Sequence, residues 1–303
     1  MQVGLLLGSL LPAPALGALA AECEALGFDS LWVGDHVAFP APILDPLQVL
    51  ACFAAHTRRV RLGTCVYLLA LRHPTVVAKM VASLDVLSAG RLIFGVGVGG
   101  EFPGEFAACG VPVNERGGRT DEALAVLRRL WRGEEVEHAG RFFHIPPVRL
   151  APPPAQSGGP PIWIGGRADA ALRRAARAGD GYVGHFLTPE GFHERIERVR
   201  ALAREQRPAA SPPSAAHLAF ALVEGDQGAA LSRAATMLGA IYGRPMEAAA
   251  ARYCVAGTPE ACRSAIERYA AAGVEHLILS PLAHGDALAT QVRAFARMLG
   301  RAD

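Results

Sequence analysis

The sequence predicts a (β/α)8 barrel, and three observations carry that reading. Short runs rich in Val, Ile and Leu alternate with helical stretches along the chain, which calls for a parallel sheet with helical crossovers. Strands and helices each number eight, which favours closure into a barrel over a doubly wound open sheet. Three joints repeat one pattern of helix end, glycine and short strand: Leu26-Gly27-Phe28-Asp29-Ser30, Ala178-Gly179-Asp180-Gly181 and Ala272-Gly273-Val274-Glu275. A glycine there suits the left-handed position that ends a helix.

In chain order the strands fall at 2–7, 30–34, 60–66, 92–96, 161–165, 181–184, 217–223 and 276–280. Helices occupy 15–26, 46–56, 75–87, 119–131, 168–178, 189–207, the stretch 228–272 and 287–300. The stretch 228–272 is long enough for more than one helix. It breaks near Gly257-Thr258-Pro259-Glu260, where Thr258 can cap a helix whose first residue is Pro259. Two regions interrupt the alternation. Residues 133–160 are rich in Pro and Gly and form an insertion between the fourth helix and the fifth strand, and 206–214 is a proline-rich connector.

With 303 residues, 51% of them hydrophobic and 19% charged, the chain buries a large core, and residues 1–303 read as one barrel domain. A formal charge of +2 supplies no field for nucleic acid. Lys79 is the only lysine and lies in the third helix, away from a barrel mouth, which speaks against Schiff-base and pyridoxal-phosphate barrels. Six cysteines without a C-x-x-C pair argue against structural zinc or a secreted disulfide framework and fit the cytoplasm. Residues 3–21 are uncharged, but no Lys or Arg precedes them and Pro12 and Pro14 interrupt the apolar run. A barrel strand and helix is the reading there, rather than an export signal or a membrane span.

In such a barrel the active site is built where strands end. After the second strand comes Gly34-Asp35-His36-Val37-Ala38-Phe39-Pro40, where Asp35 is placed to orient His36 or a ligand and His36 to move a proton near neutral pH. A turn with a surface histidine is the plainer alternative. The fourth strand runs into Gly97-Val98-Gly99-Gly100-Glu101-Phe102-Pro103, whose glycines permit close approach to a flat group or a phosphate. The fifth ends Trp163-Ile164-Gly165-Gly166-Arg167-Ala168 before a helix, an arrangement suited to phosphate or to no more than a tight turn. Arg116 and Arg119, at the start of the fourth helix, could reach the same phosphate or solvate a loop. His185 follows the sixth strand and points to the same mouth as a second proton carrier or a substrate contact. No H-x-H follows the first strand, so no catalytic metal is expected.

From residue 2 to about 207 the chain resembles the luciferase-like monooxygenases and their coenzyme F420-dependent relatives. The motifs that carry this are Gly27-Phe28-Asp29-Ser30-Leu31-Trp32-Val33-Gly34-Asp35-His36, Arg61-Leu62-Gly63-Thr64-Cys65-Val66, Arg72-His73-Pro74, Gly90-Arg91-Leu92, Gly95-Val96-Gly97-Val98-Gly99, Glu115-Arg116, Thr120-Asp121-Glu122-Ala123 and Pro160-Pro161-Ile162-Trp163-Ile164-Gly165-Gly166. The resemblance implies a TIM barrel with a non-prolyl cis peptide at Cys65-Val66 behind the central cofactor ring. It implies a cofactor held by Asp35, Cys65, Val66, Gly97, Gly99, Arg119, Gly165, Gly166 and Arg167, with Phe39, Phe102 and His185 as substrate contacts. His36 and Glu101 are the candidate catalytic pair; Glu101 follows a second glycine where many relatives carry an aromatic residue or a glutamate.

The function so implied is hydride transfer between coenzyme F420 and a small organic substrate, with Asp35-His36 favouring the deazaflavin branch. The alternative is an FMN-dependent monooxygenase that uses reduced flavin and oxygen. A non-redox, phosphate-binding barrel isomerase with Glu101 as base is the contrasting reading. Family members often pair as homodimers, for which the small-faced helix 75–87 is the candidate surface.

Overall fold

The computed structural model describes residues 1–7, 13–39 and 42–301; Pro12 and Pro40 lie outside the described residues. Eight parallel strands close the barrel: β1 (Gln2–Leu6), β2 (Ser30–Val33), β3 (Arg61–Thr64), β4 (Leu92–Gly97), β5 (Ile162–Gly165), β6 (Gly181–His185), β7 (Ser214–Val223) and β8 (His276–Pro281). Each pairs with its neighbour in sequence, and β8 returns to β1 with Gln2 opposite His276 and Leu5 opposite Leu279. The expected barrel is the observed one.

Helices α1 (Ala13–Ala25), α2 (Pro46–His56), α3 (Pro74–Leu87), α4 (Pro103–Ala108), α5 (Arg116–Trp131), α6 (Asp169–Ala178), α7 (Pro189–Gln206), α8 (Gln227–Tyr242), α9 (Glu247–Tyr253), α10 (Pro259–Ala271) and α11 (Asp286–Met298) accompany the strands. Several begin at a proline directly after a capping side chain. Asp45 accepts from Leu47 N at 2.9 Å, Thr188 from Gly191 N at 3.2 Å and Thr258 from Ala261 N at 3.3 Å. The missing N–H of proline costs nothing there, because that group would have no helical partner.

The structure corrects the sequence reading at four places. β3 ends at Thr64 instead of 66, and a short piece, Tyr67–Leu68, pairs separately with β4. β7 begins three residues before His217, at Ser214, where Glu275 receives the N–H of Ala215. The insertion is not wholly irregular: Val136–Ala139 and His144–Val148 form an antiparallel hairpin. Gly27 and Gly273 adopt the left-handed region, at φ 80° and 91°, but Gly179 does not. It sits at φ −90°. Its missing side chain serves close approach instead, since a Cβ would lie 2.9 Å from the Ala175 carbonyl.

One large core lies between the strands and helices and holds Leu5, Leu31, Leu62, Phe94, Tyr182 and Leu277. A second, inside the barrel, holds Trp32, Ile93, Trp163, Val183, Leu218 and Ile278. A third joins α8 and α9 to Phe186 and Leu222 above the strand ends. Among the described residues no helix is long and apolar enough to cross a membrane.

Candidate active site at the strand ends

Side chains alternate inward and outward along each strand, so the residue two beyond each interior core position reaches the rim. From Trp32, Ile93, Trp163, Val183, Leu218 and Ile278 this rule reaches Gly34, Gly95 then Gly97, Gly165, His185, Phe220 and Ser280. Beneath them Trp32 and Trp163 approach to 5.2 Å between ring centroids and close the barrel from below. The lower end is sealed by a polar chain: Trp32 Nε1 donates to Ser30 Oγ at 2.7 Å, Ser30 Oγ meets His276 Nε2 at 2.6 Å, and His276 Nδ1 meets Gln2 at 3.0 Å.

The two halves of the rim differ. On the side of β2, β4 and β5 the floor is glycine, because β3 departs from regular geometry there. The Cys65–Val66 peptide is cis. A Cβ on Gly95 would sit 1.9 Å from the Thr64 carbonyl oxygen, one on Gly97 2.3 Å from Val66 Cγ2 and one on Gly165 2.7 Å from Val66 Cγ1. These three glycines make room for the β3 bulge. A Cβ on Gly34 would meet only the Cys65 carbonyl, at 3.7 Å, so among the described residues the Val66 side chain, flanked by Gly97 and Gly165, forms the surface of the bulge. Burial pushes the Cys65 thiol up to about 12, which keeps it protonated and unreactive.

His36 stands over this half. Its Nδ1 lies 3.1 Å from Glu105 Oε1, and Glu105 also accepts the Val37 N–H at 3.0 Å. Glu105 is 1% exposed and His36 27%. The imidazole stacks on Phe39 at 4.1 Å and meets Phe102 edge-on at 5.3 Å. A carboxylate on Nδ1 fixes the tautomer and directs the other nitrogen outward. Among the described residues Nε2 of His36 has no hydrogen bond, and it is the atom available to a ligand.

Several expected residues are placed otherwise than the sequence suggests. Asp35 does not orient His36. Its carboxylate takes Arg72 Nη1 at 2.6 Å, Arg72 Nη2 at 2.9 Å and the Leu68 N–H at 2.8 Å, which pins the segment after β3 to the end of β2. Burial, opposed by Arg72, raises the Asp35 carboxyl above its usual range. Glu101 is not the carboxylate beside His36: it is 55% exposed and pairs with Arg167 at 3.7 Å. Arg119 turns to the Ala70 carbonyl at 3.0 Å and lies over the Phe143 ring at 4.9 Å, while Gly100 leaves space for Arg116. Gly99 and Gly166 take left-handed φ values of 61° and 140° at the starts of their loops. Phe39 and Phe102 meet each other at 4.8 Å beside His36.

The other half, on β6 to β8, carries side chains. His185 contacts Phe186 at 4.1 Å and Phe220 at 5.4 Å, and Phe186 reaches Tyr242 and Tyr253 at 5.7 and 5.8 Å. Burial lowers His185 to about 4, so the ring is neutral at pH 7. Two surface grooves of about 480 and 510 Å³, lined by Arg128, Arg132 and Asp180 among others, lie near the strand starts and outside this rim.

This geometry accords with the comparisons. The model of the luciferase-like monooxygenase family matches residues 4–276. The chain belongs to the luciferase-like monooxygenase family. The F420-dependent glucose-6-phosphate dehydrogenase of Kineococcus radiotolerans is 28% identical over 293 residues, covering 87% of this chain and 86% of the relative. The oxygenase component of a flavin-dependent trigonelline monooxygenase of Acinetobacter baylyi is 34% identical over 143 residues, 46% of this chain and 39% of the relative. A crystal structure of an F420-dependent secondary alcohol dehydrogenase superposes with a TM-score of 0.87 at 22% identity, over 99% of this chain and 98% of the other. This luciferase-like protein is an oxidoreductase whose relatives include both F420-dependent and flavin-dependent members, and the non-redox isomerase reading is set aside.

The member of the site that sequence reasoning missed is Glu105. Its signal was Pro103, a helix-starting residue that places Glu105 in the first turn, one step before buried Phe106. Arg72 was quoted only as part of a motif. Its partner 37 positions away became visible when β2 and β3 lay side by side.

Proposed function

We propose that the chain is a coenzyme F420-dependent oxidoreductase that transfers hydride between the deazaflavin and a small organic substrate, with His36 as acid or base. The observation that carries this is the His36–Glu105 pair beside glycine-bearing strand ends at the rim. Gly34, Gly97 and Gly165 add no side chains of their own around Val66, which is where a tricyclic ring would lie. The Gly165–Gly166 turn, Arg167 and the start of α6, which has no side-chain cap, are the groups for its phosphate. When bound, the deazaflavin supplies a two-electron donor or acceptor, and the rest is done by the protein.

In this reading His36 Nε2 exchanges a proton with the substrate oxygen, and Glu105 holds Nδ1 and orients the ring. Phe39 and Phe102 position the imidazole. Asp35 acts through Arg72, by fixing the segment that follows β3. Glu101 has no catalytic part in this scheme.

An FMN-dependent monooxygenase is the second reading, favoured by the flavin-dependent relative. Titration of purified protein separately with F420 and FMN, followed by absorbance and fluorescence, separates the two. F420 is expected to bind more tightly; tight binding of FMN alone overturns the cofactor choice. The protein is further read as a cytoplasmic homodimer. Its six cysteines are free, and Val76, Val86 and Leu87 of α3 are exposed. A monomeric mass at micromolar concentration in solution would remove the dimer.

A further inference from the structure

The aromatic half of the rim says what kind of molecule the site accepts. Five rings line it: His185 and Phe220 from the strand ends, Phe186 just beyond β6, and Tyr242 and Tyr253 from the last residues of α8 and α9. Phe186, Phe220, Tyr242 and Tyr253 belong to an apolar cluster that includes Leu222, Met246 and Leu282. A wall of this kind removes apolar surface from water and offers an unpaired charge nothing in return.

The cations near it are already engaged. Arg167 lies 5.7 Å over the Phe186 ring and is paired with Glu101, so the two together bring no net charge. Arg72 is held by Asp35. Arg116 donates through Nη1 to the Val113 carbonyl at 2.8 Å, and its buried Nε is left without a partner among the described residues. Arg252 lies 5.4 Å over its neighbour Tyr253, and Arg244 is exposed in the connection between α8 and α9; charges in open water add little to affinity. His185 is neutral at pH 7. Its Nδ1 faces the Leu218 carbonyl at 3.4 Å, which leaves Nε2 as a hydrogen-bond acceptor for a hydroxyl group.

We infer that the substrate is an uncharged molecule with an apolar body and one hydroxyl or carbonyl group, seated against Phe186, Phe220, Tyr242 and Tyr253, and that phosphorylated substrates are rejected. This rests on the oxidoreductase reading above and differs from the sugar phosphate in the name of the Kineococcus relative.

The test uses matched pairs: cyclohexanol, 2-phenylethanol and geraniol, each against its phosphate monoester. Binding to purified protein is measured by calorimetry, alone and after addition of F420 or FMN. The alcohols are expected to bind about tenfold more tightly than their phosphates, or better. Phe220→Ala should weaken the alcohols several-fold, while Phe220→Leu retains most of the affinity and controls for folding. Glu101→Gln, which frees Arg167, should raise affinity for the phosphates. Phosphates that bind as tightly as the alcohols, or alcohols that do not bind at all, overturn the inference. The cofactor titration is read separately: if neither cofactor binds while the alcohols do, the oxidoreductase reading fails and the neutral wall stands.

Discussion

His36 and His185 end neighbouring halves of one rim, yet they are built for opposite tasks. His36 is partly open to water, bonded to a buried carboxylate through Nδ1, and its Nε2 has no hydrogen bond among the described residues, so a ligand can reach it. His185 is surrounded by Phe186 and Phe220, and burial holds it neutral down to about pH 4. The contrast teaches that a histidine at a strand end is not by itself a proton carrier. The adjacent carboxylate decides it, and only one of the two has it.

Five substitutions and one pH series sharpen or break this contrast. The largest effect is expected for His36→Ala, which should lower turnover of the cofactor-loaded protein by about 10²- to 10⁴-fold, whereas His185→Ala should act mainly on KM. Equal losses of kcat in both would dissolve the distinction. Next comes Asp35→Ala, which removes the buried bidentate partner of Arg72 and leaves it the Asp45 carboxylate at 3.5 Å as its ion-pair partner, and should cost about 1.5–3 kcal/mol in denaturant unfolding, more than an exposed pair. Gly165→Ala drives a methyl into Val66 and should cost about 1–3 kcal/mol, together with weaker cofactor binding.

The pH series addresses the neutral histidines. His217 is fully buried on the outer face of β7, stacked on Tyr269 at 4.6 Å, with neither ring nitrogen hydrogen-bonded; burial lowers it to about 3. His276 is lowered to about 4 in the same way. The unfolded chain takes up these protons from its ordinary value of 6.5 downward and the folded chain only near 3 to 4. Stability is therefore full above 6.5 and falls as pH drops through this window, by about 1.4 kcal/mol per pH unit for each histidine. His217→Phe should flatten the slope measured by urea unfolding between pH 7.5 and 5; an unchanged slope would assign the loss elsewhere. The smallest effect is expected for Glu101→Gln, at or below about 1 kcal/mol in stability, because both members of its pair are half exposed.

Residue spacing made part of the site legible and misled on the rest. Asp35 and His36 are neighbours in the chain and invite a joint role, but adjacent residues in extended backbone face opposite ways, so one turned to Arg72 and the other to the rim. The loop after β4 offers two glutamates within five residues, and only Pro103, which starts a helix with Glu105 in its first turn, separates buried Glu105 from exposed Glu101. Arg119 looked free to reach a phosphate until the segment after β3 presented the Ala70 carbonyl to it.

The chain by itself determined the barrel, its eight strands and the prolines and capping residues that start its helices, because apolar periodicity and cap chemistry are local and act within a few residues. Only the folded barrel decided which carboxylate serves His36, which arginine holds Asp35 and why Gly97 and Gly165 carry no side chain. Those choices rest on contacts between segments up to 69 or more positions apart, and they exist once the strands have closed and set which loops share the rim.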